Sequence, residues 1–287
     1  VDTRVSDKDI LGVIGTANTE DEFFVDLPFY FYNNPELAIP LCSITKQEVE
    51  VEIKIRNHDH LIIKGSTGQL QPVTPGTIHI KDFRLCTEIV FLDPIERVKF
   101  MTEKKDYIIT QVQQNVFDIP QGNQEGRFNL DFVNPVRELY FVIQRQGDVG
   151  TGEGQFMTPF DYDNTLADTG GKYILYENLD YLTLDLDGQP IITRDTGNVI
   201  FLKGVQAAIH HSKTQLIRRF YSYSFALEPE KWYPTGQINF SLIKEQIVNL
   251  SLTPCVDYAR QFRVYALSHN ILRVSEGTAR TIFDVKY

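Results

Sequence analysis

Apolar and polar residues alternate with a period of two along much of the chain. In Glu48 to Arg56, Val49, Val51, Ile53 and Ile55 interleave with Glu48, Glu50, Glu52, Lys54 and Arg56. Successive side chains of an extended backbone point to opposite faces, so this spacing predicts a strand with one apolar and one charged face. Phe128, Leu130 and Phe132 repeat the period within Arg127 to Phe132. Runs rich in β-branched and aromatic residues, which suit a pleated and half-buried surface, cover 23–32, 136–144, 220–227, 237–243, 246–252 and 262–274. Between the runs lie Asn33-Asn34-Pro35, Ser66-Thr67-Gly68, Pro75-Gly76, Gly147 to Gly154, Gly170-Gly171 and Pro234-Thr235-Gly236. There Pro presets φ or Gly permits positive φ. The rhythm predicts an all-β chain built of antiparallel sandwiches.

Helical signals are few. The best is Asp93 to Phe100, with Asp93 as N-cap, Pro94 at the first helical position and Glu96 three residues on, and it predicts a short helix between strands. Strands do not alternate with long helices, which argues against a parallel-sheet nucleotide-binding fold. The polar stretch Asp118 to Gly126, with Pro120, Gly122 and Gly126, predicts a boundary between lobes at 1–117 and 118–287. The second lobe has room for eight strands, the first for only about five or six. Two connections in the second lobe, Gly147 to Gly171 and Asp185 to Gly197, are expected to be long loops serving assembly.

The 28 Lys and Arg stand against 38 Asp and Glu, a formal charge of -10 that repels phosphate, so direct nucleic-acid binding is not expected. The basic pairs Lys104-Lys105 and Arg218-Arg219 are read as a solvated turn and part of a strand. Cys42, Cys86 and Cys255 lie far apart without metal or redox spacing, which fits a reducing compartment. The N-terminal residues lack a signal-peptide pattern, and no apolar run approaches the roughly 18 residues of a membrane helix, so neither secretion by a signal in this chain nor membrane spanning is expected. Asn239 and Asn249 head glycosylation sequons, but both fall in segments that read as strands.

No phosphate-binding, nucleophile-elbow or zinc-protease motif is present. The glycines of 147–154 lack the Lys and the following helix of a phosphate cradle. His58-Asp59-His60 offers too few ligands for a metal site, and His210-His211, read as part of a strand, would point to opposite faces. Asp161, Asp163 and Asp168, like Asp185 and Asp187, carry oxygen ligands suited to Ca²⁺ without the loop that closes around it. Trp232-Tyr233 could form an aromatic platform for a sugar. The expectation is therefore no catalytic, no cofactor-binding and no metal-ligating residues. The 19 Phe and 14 Tyr are assigned to cores and subunit contacts.

Several stretches, in order, resemble the major capsid proteins of nucleocytoplasmic large DNA viruses, the family of iridoviruses, asfarviruses and phycodnaviruses. FYFYNNPELAIP at 29–40 is similar to an aromatic strand, turn and "AIP" of that family, and FLDPIERVKF at 91–100 with YIITQVQ at 107–113 is similar to its strand, short helix and strand. VRELYFVIQ at 136–144, LYEN at 175–178, YSYSFALEP at 221–229, YPTGQINFS at 233–241 and QFRVYALSHNILRVSEG at 261–277 continue the match, with Thr235 where the family usually has Ser. The resemblance implies a double jelly roll, incomplete in its first sandwich because the family has further strands upstream, so the chain is expected to be a portion of a longer protein. It implies a non-enzymatic homotrimer forming pseudo-hexagonal capsomers of an icosahedral virion. Neighbouring capsomers, minor capsid proteins and inner membrane proteins would be partners, with assembly in the host cytoplasm. Two alternatives remain at this stage: a capsid-like scaffold of immature virions and a carbohydrate-binding jelly roll.

Overall fold

A computed structural model of the chain describes residues 4–6, 23–32, 34–54, 63–64, 69–70, 80–145, 164–167, 173–176, 178–213, 220–253 and 259–283. The chain divides into two compact units, 1–40 and 41–287. In the first, Arg4–Ser6 pairs antiparallel with Phe23–Val25, and the Phe29 and Phe31 rings stack at 5.1 Å beside a short 3-10 turn, Pro35–Leu37. The strand expected over 23–32 therefore stops at Val25, and a turn follows at Tyr30 to Tyr32.

Eight strands carry the second unit: β1 Lys105–Ile119, β2 Glu125–Asn129, β3 Pro135–Arg145, β4 Leu179–Leu186, β5 Gln189–Ile192, β6 Phe220–Ser224, β7 Gln246–Leu252 and β8 Arg260–Ser275. One sheet has the order β6-β3-β8-β1, the other β5-β4-β7-β2, and every pairing is antiparallel. Taken from the chain ends inward, β1 pairs with β8, β2 with β7, β3 with β6 and β4 with β5. That is one long hairpin of four strand pairs. Wrapping it until β8 meets β3 and β7 meets β4 yields the two four-stranded sheets of a jelly roll. A further strand, β9 Thr278–Thr281, folds back on the end of β8.

Alternating residues of both sheets meet in one core. Leu139, Phe141, Ile143, Phe262, Val264 and Ala266 come from one sheet, and Leu182, Leu184, Leu186, Val248, Leu250 and Leu252 from the other. Phe117 of β1 stacks on Phe128 of β2 at 4.7 Å, and Phe262 lies 5.7 Å from Phe128 and 6.2 Å from Phe141, so an aromatic row joins the sheets. A buried amide closes one end: Gln246 donates to Phe132 O at 2.9 Å and accepts from Phe132 N at 3.0 Å. These bonds satisfy backbone groups where β2 has ended, as burial demands.

The helix expected from Asp93 is present as α1, Pro94–Thr102, although the Asp93 side chain makes no capping bond. Several expectations are corrected. Residues 48–54 are exposed and in no sheet, because no described strand pairs with them to accept their backbone bonds; Ile55 and Arg56 fall outside the described residues. Positions 117 and 118, between which the sequence suggests a division into lobes, both lie in β1, whose residues 105–119 pair with β8 along their whole length; the division itself stays an expectation. The loop expected over Asp185 to Gly197 begins instead as a tight hairpin, with Asp187 at φ 49° and Gly188 at φ 77°. This Asp-Gly pair adopts the left-handed geometry of two-residue hairpin turns. The 237–243 segment holds a strand only at Ile238–Asn239 before a 3-10 turn, Phe240–Leu242. Gly147 to Gly154 lies outside the described residues.

Candidate functional site

The most unusual chemistry of the described residues lies on the reverse face of the β6-β3-β8-β1 sheet. The pairing of β3 with β8 slips where Leu267 faces Glu138 and Ser268 faces Val136, so Arg137 is an extra residue in a β-bulge. The bulge keeps Val136, Leu139, Phe141 and Ile143 in the core while Glu138 and Tyr140 point to the other face. The Arg137 carbonyl accepts from Phe225 N at 2.8 Å and Ala226 N at 3.2 Å, which anchors the chain leaving β6.

A helical stretch in the β5–β6 connection, Phe201–Gln206 with π-helical bonding and then Ala207–His210, brings in His211. His210-His211 thus ends a helix, and the strand geometry expected for the pair is corrected. His211 Nε2 lies 2.6 Å from Glu138 Oε1, and its Nδ1 lies 3.6 Å from Glu230 Oε1. Glu138 is only 1% exposed and also accepts from the Tyr140 hydroxyl at 2.9 Å. Ser212 donates to Glu230 through its N–H at 3.0 Å and its hydroxyl at 3.2 Å. The bond to Glu138 raises the imidazole pKa above its ordinary value, against the opposing effect of burial. Burial and the Glu138 charge hold the Tyr140 phenol protonated. Nearby, burial and the charge of Arg137 push His269 down to about 4, so that ring is neutral. The surroundings thus favour the charged form of one histidine and the neutral form of the other.

The residues weighed as site candidates serve structure where they are described. Asp187 accepts from Lys244 N at 2.9 Å and Glu245 N at 2.8 Å, and Asp185 accepts from Asn249 at 3.2 Å. The Asn239 side chain accepts from Ser241 N, and Asn249 sits within β7 donating to Thr183 as well. The Trp232 and Tyr233 rings meet edge to face, at 86° and 5.5 Å, and so form no flat platform. Lys105 lies 4.0 Å over the Phe100 ring and 3.7 Å from Glu103. Cys42 and Cys86 are free thiols. His58, Asp59, His60, Asp161, Asp163, Asp168, Arg218, Arg219 and Cys255 lie outside the described residues. Among the described residues, no group of three or more His, Cys, Asp or Glu is placed to hold a metal. The Glu138–His211 pair went unrecognised in the sequence, where the one available signal was Glu138 as a lone acid inside the apolar run 136–143.

Apolar side chains are also left at the surface. Ile200, Ile209, Leu227 and Leu242 are strongly exposed, and His210 Nδ1, 3.1 Å from Leu227 O, holds Leu227 beside the end of the helical stretch.

The order and pairing of the eight strands define a jelly-roll sandwich. Residues 96–280 match the model of the large eukaryotic DNA virus major capsid protein, and residues 2–93 that of the major capsid protein N-terminus. The chain belongs to the large eukaryotic DNA virus major capsid protein family. It is 27% identical over 271 residues to the major capsid protein of Pyramimonas orientalis virus, covering 92% of this chain and 61% of that protein. With the major capsid protein of Paramecium bursaria Chlorella virus 1 it shares 23% over 302 residues, 91% of this chain and 66% of the relative. The solved PBCV-1 capsid protein fitted into a reconstruction of the virophage Sputnik superposes with a TM-score of 0.68 at 19% identity, over 99% of this chain and 77% of that one. The fold class is the double jelly roll of these capsid proteins. The chain spans about three fifths of the length of the first curated relatives it matches.

Proposed function

We propose that this chain is a structural major capsid protein that builds an icosahedral virion shell as homotrimeric, pseudo-hexagonal capsomers, and that it is not an enzyme. One observation carries the reading. The complete jelly-roll hairpin of 105–275 lies within the 96–280 segment matched by the capsid family model. Exposed apolar side chains beside that sandwich, Ile209 and Leu227 among them, supply material for subunit contacts. The formal charge of -10 favours protein over nucleic acid as its partner. Neighbouring capsomers, minor capsid proteins and inner membrane proteins are the proposed partners, and the virion, assembled in host cytoplasm, is the proposed location. The second lobe begins near α1 in this reading, because the two family models part between residues 93 and 96 and β1 belongs to the second sandwich. No residue is assigned to catalysis, cofactor or metal.

The test is to purify the full-length protein containing this chain, measure its mass by light scattering after size exclusion, and image it. Trimers with hexagonal outlines, and the same protein in mature virions, are expected. A monodisperse monomer, or its presence in immature particles alone, would overturn the capsid reading. Chelators and nucleotide analogues should leave both trimer yield and melting temperature unchanged.

A further inference from the structure

We infer that His211 is a proton-controlled latch that clamps the connections on either side of β6 onto the reverse face of the β3 bulge and frees them when its imidazole loses its charge. Glu138, from the first part of β3, is almost fully buried and has Nε2 of His211 at 2.6 Å. A carboxylate removed from water to that degree needs a charged or strongly donating partner. The partner comes from the connection preceding β6, and its other ring nitrogen faces Glu230 of the connection following β6, 3.6 Å away. Ser212 bonds the same Glu230 oxygen, so residues 211, 212 and 230 form one clasp. His210 Nδ1 at Leu227 O ties the two connections once more.

An imidazolium carries two N–H groups and meets both carboxylates. The neutral ring has one N–H and no charge, so it can donate to only one of them.

The charged and titratable groups around the clasp set its direction. On β3 these are Arg137, Glu138 and Tyr140; on the connection after β6, Glu230 and Lys231; on β8, His269; and beside His211 itself, His210. Arg137 donates to Lys231 O at 3.3 Å, and its charge acts on both Glu138 and His269. The folded-state pKa of His211 is raised, which fixes the sign. The clasp's contribution is complete below the ordinary imidazole pKa and is lost as pH rises through the raised value. Burial works against ionisation of Glu230, but its Ser212 and His211 partners outweigh that and hold its pKa below the usual range, so the clasp persists into mild acid.

Hydrogen exchange read by mass spectrometry on the full-length protein tests this between pH 6 and 9. Peptides covering 199–213 and 226–235 are followed, with protection corrected for intrinsic exchange. In the wild type, protection should fall across this range by roughly tenfold for each unit by which the folded pKa exceeds the free one. In His211→Gln and Glu138→Gln it should be low and independent of pH, while peptides of β4 and β8 stay unchanged. Equal pH profiles in wild type and His211→Gln would overturn the latch. If Glu138→Gln fails to fold, NMR titration of the His211 ring in the wild-type protein decides: a pKa at or below the ordinary imidazole value would overturn it too.

Discussion

Residues 48–54 and β7, residues 246–252, are written in nearly the same pattern of alternating apolar and polar residues, broken in β7 only by the Ile247-Val248 pair, yet they end in opposite states. In β7, Val248, Leu250 and Leu252 are buried in the sandwich core, and its backbone is bonded to β4 on one side and β2 on the other. In 48–54, Val49, Val51 and Ile53 are all exposed, Val51 at 43%, and the backbone belongs to no sheet. The period of two records that a segment can show an apolar face. Whether it becomes a strand depends on neighbours that bond both edges and cover that face, and these are remote in sequence.

The contrast can be broken by substitution, with stability read from chemical denaturation of the full-length protein. The largest loss is expected for Phe141→Ala, which removes a fully buried ring from the row with Phe262 and should cost about 3–5 kcal/mol through the cavity it leaves. A loss below about 1 kcal/mol would mean the aromatic row is not the packed centre of this sandwich. Gln246→Leu keeps the size of the side chain but leaves Phe132 N–H and C=O without their partner, for an expected loss of about 1–3 kcal/mol. A neutral result would show that water reaches this end of the core. At the β4–β5 turn, Gly188→Val places a β-branched residue at φ 77° and should cost at least about 1–2 kcal/mol, where Asp187→Gly should be nearly silent by comparison. Equal effects of the two would place the strain elsewhere in the hairpin. The smallest change is expected for Val51→Ala, within about 0.5 kcal/mol, because its side chain is already in water. Should Val51→Ala approach the cost of Phe141→Ala, 48–54 would be as well packed as β7 and the comparison would fail.

The elements most legible in the sequence were those whose local signal and environment agree. The alternation of 246–252 became β7, the apolar run 136–144 became nearly all of β3, and Asp93-Pro94 marked the start of α1. Asp187-Gly188 carries a strong two-residue turn signal, while the acidic residues around it also offer oxygen ligands to a cation. Their oxygens are taken by backbone N–H groups and by Asn249, and nothing short of the fold could have shown that. The clasp was beyond reach for the same reason. Glu138, His211 and Glu230 are separated by 73 and 19 positions, and the helical stretch that delivers His211 has no periodic signature against its surroundings.

The sequence by itself determined that the chain is all-β, acidic and free of familiar catalytic motifs, since strand periodicity, charge and motif spacing are local properties written in the order of residues. It also carried the order of stretches that identifies the capsid family. Only the tertiary structure decided which alternating segments become strands, that β1 pairs with β8, and that a bulge at Arg137 turns Glu138 onto the reverse face to meet a histidine. Those outcomes rest on backbone bonds and burial between residues far apart in the chain, and such contacts take their free energy from the assembled sheets.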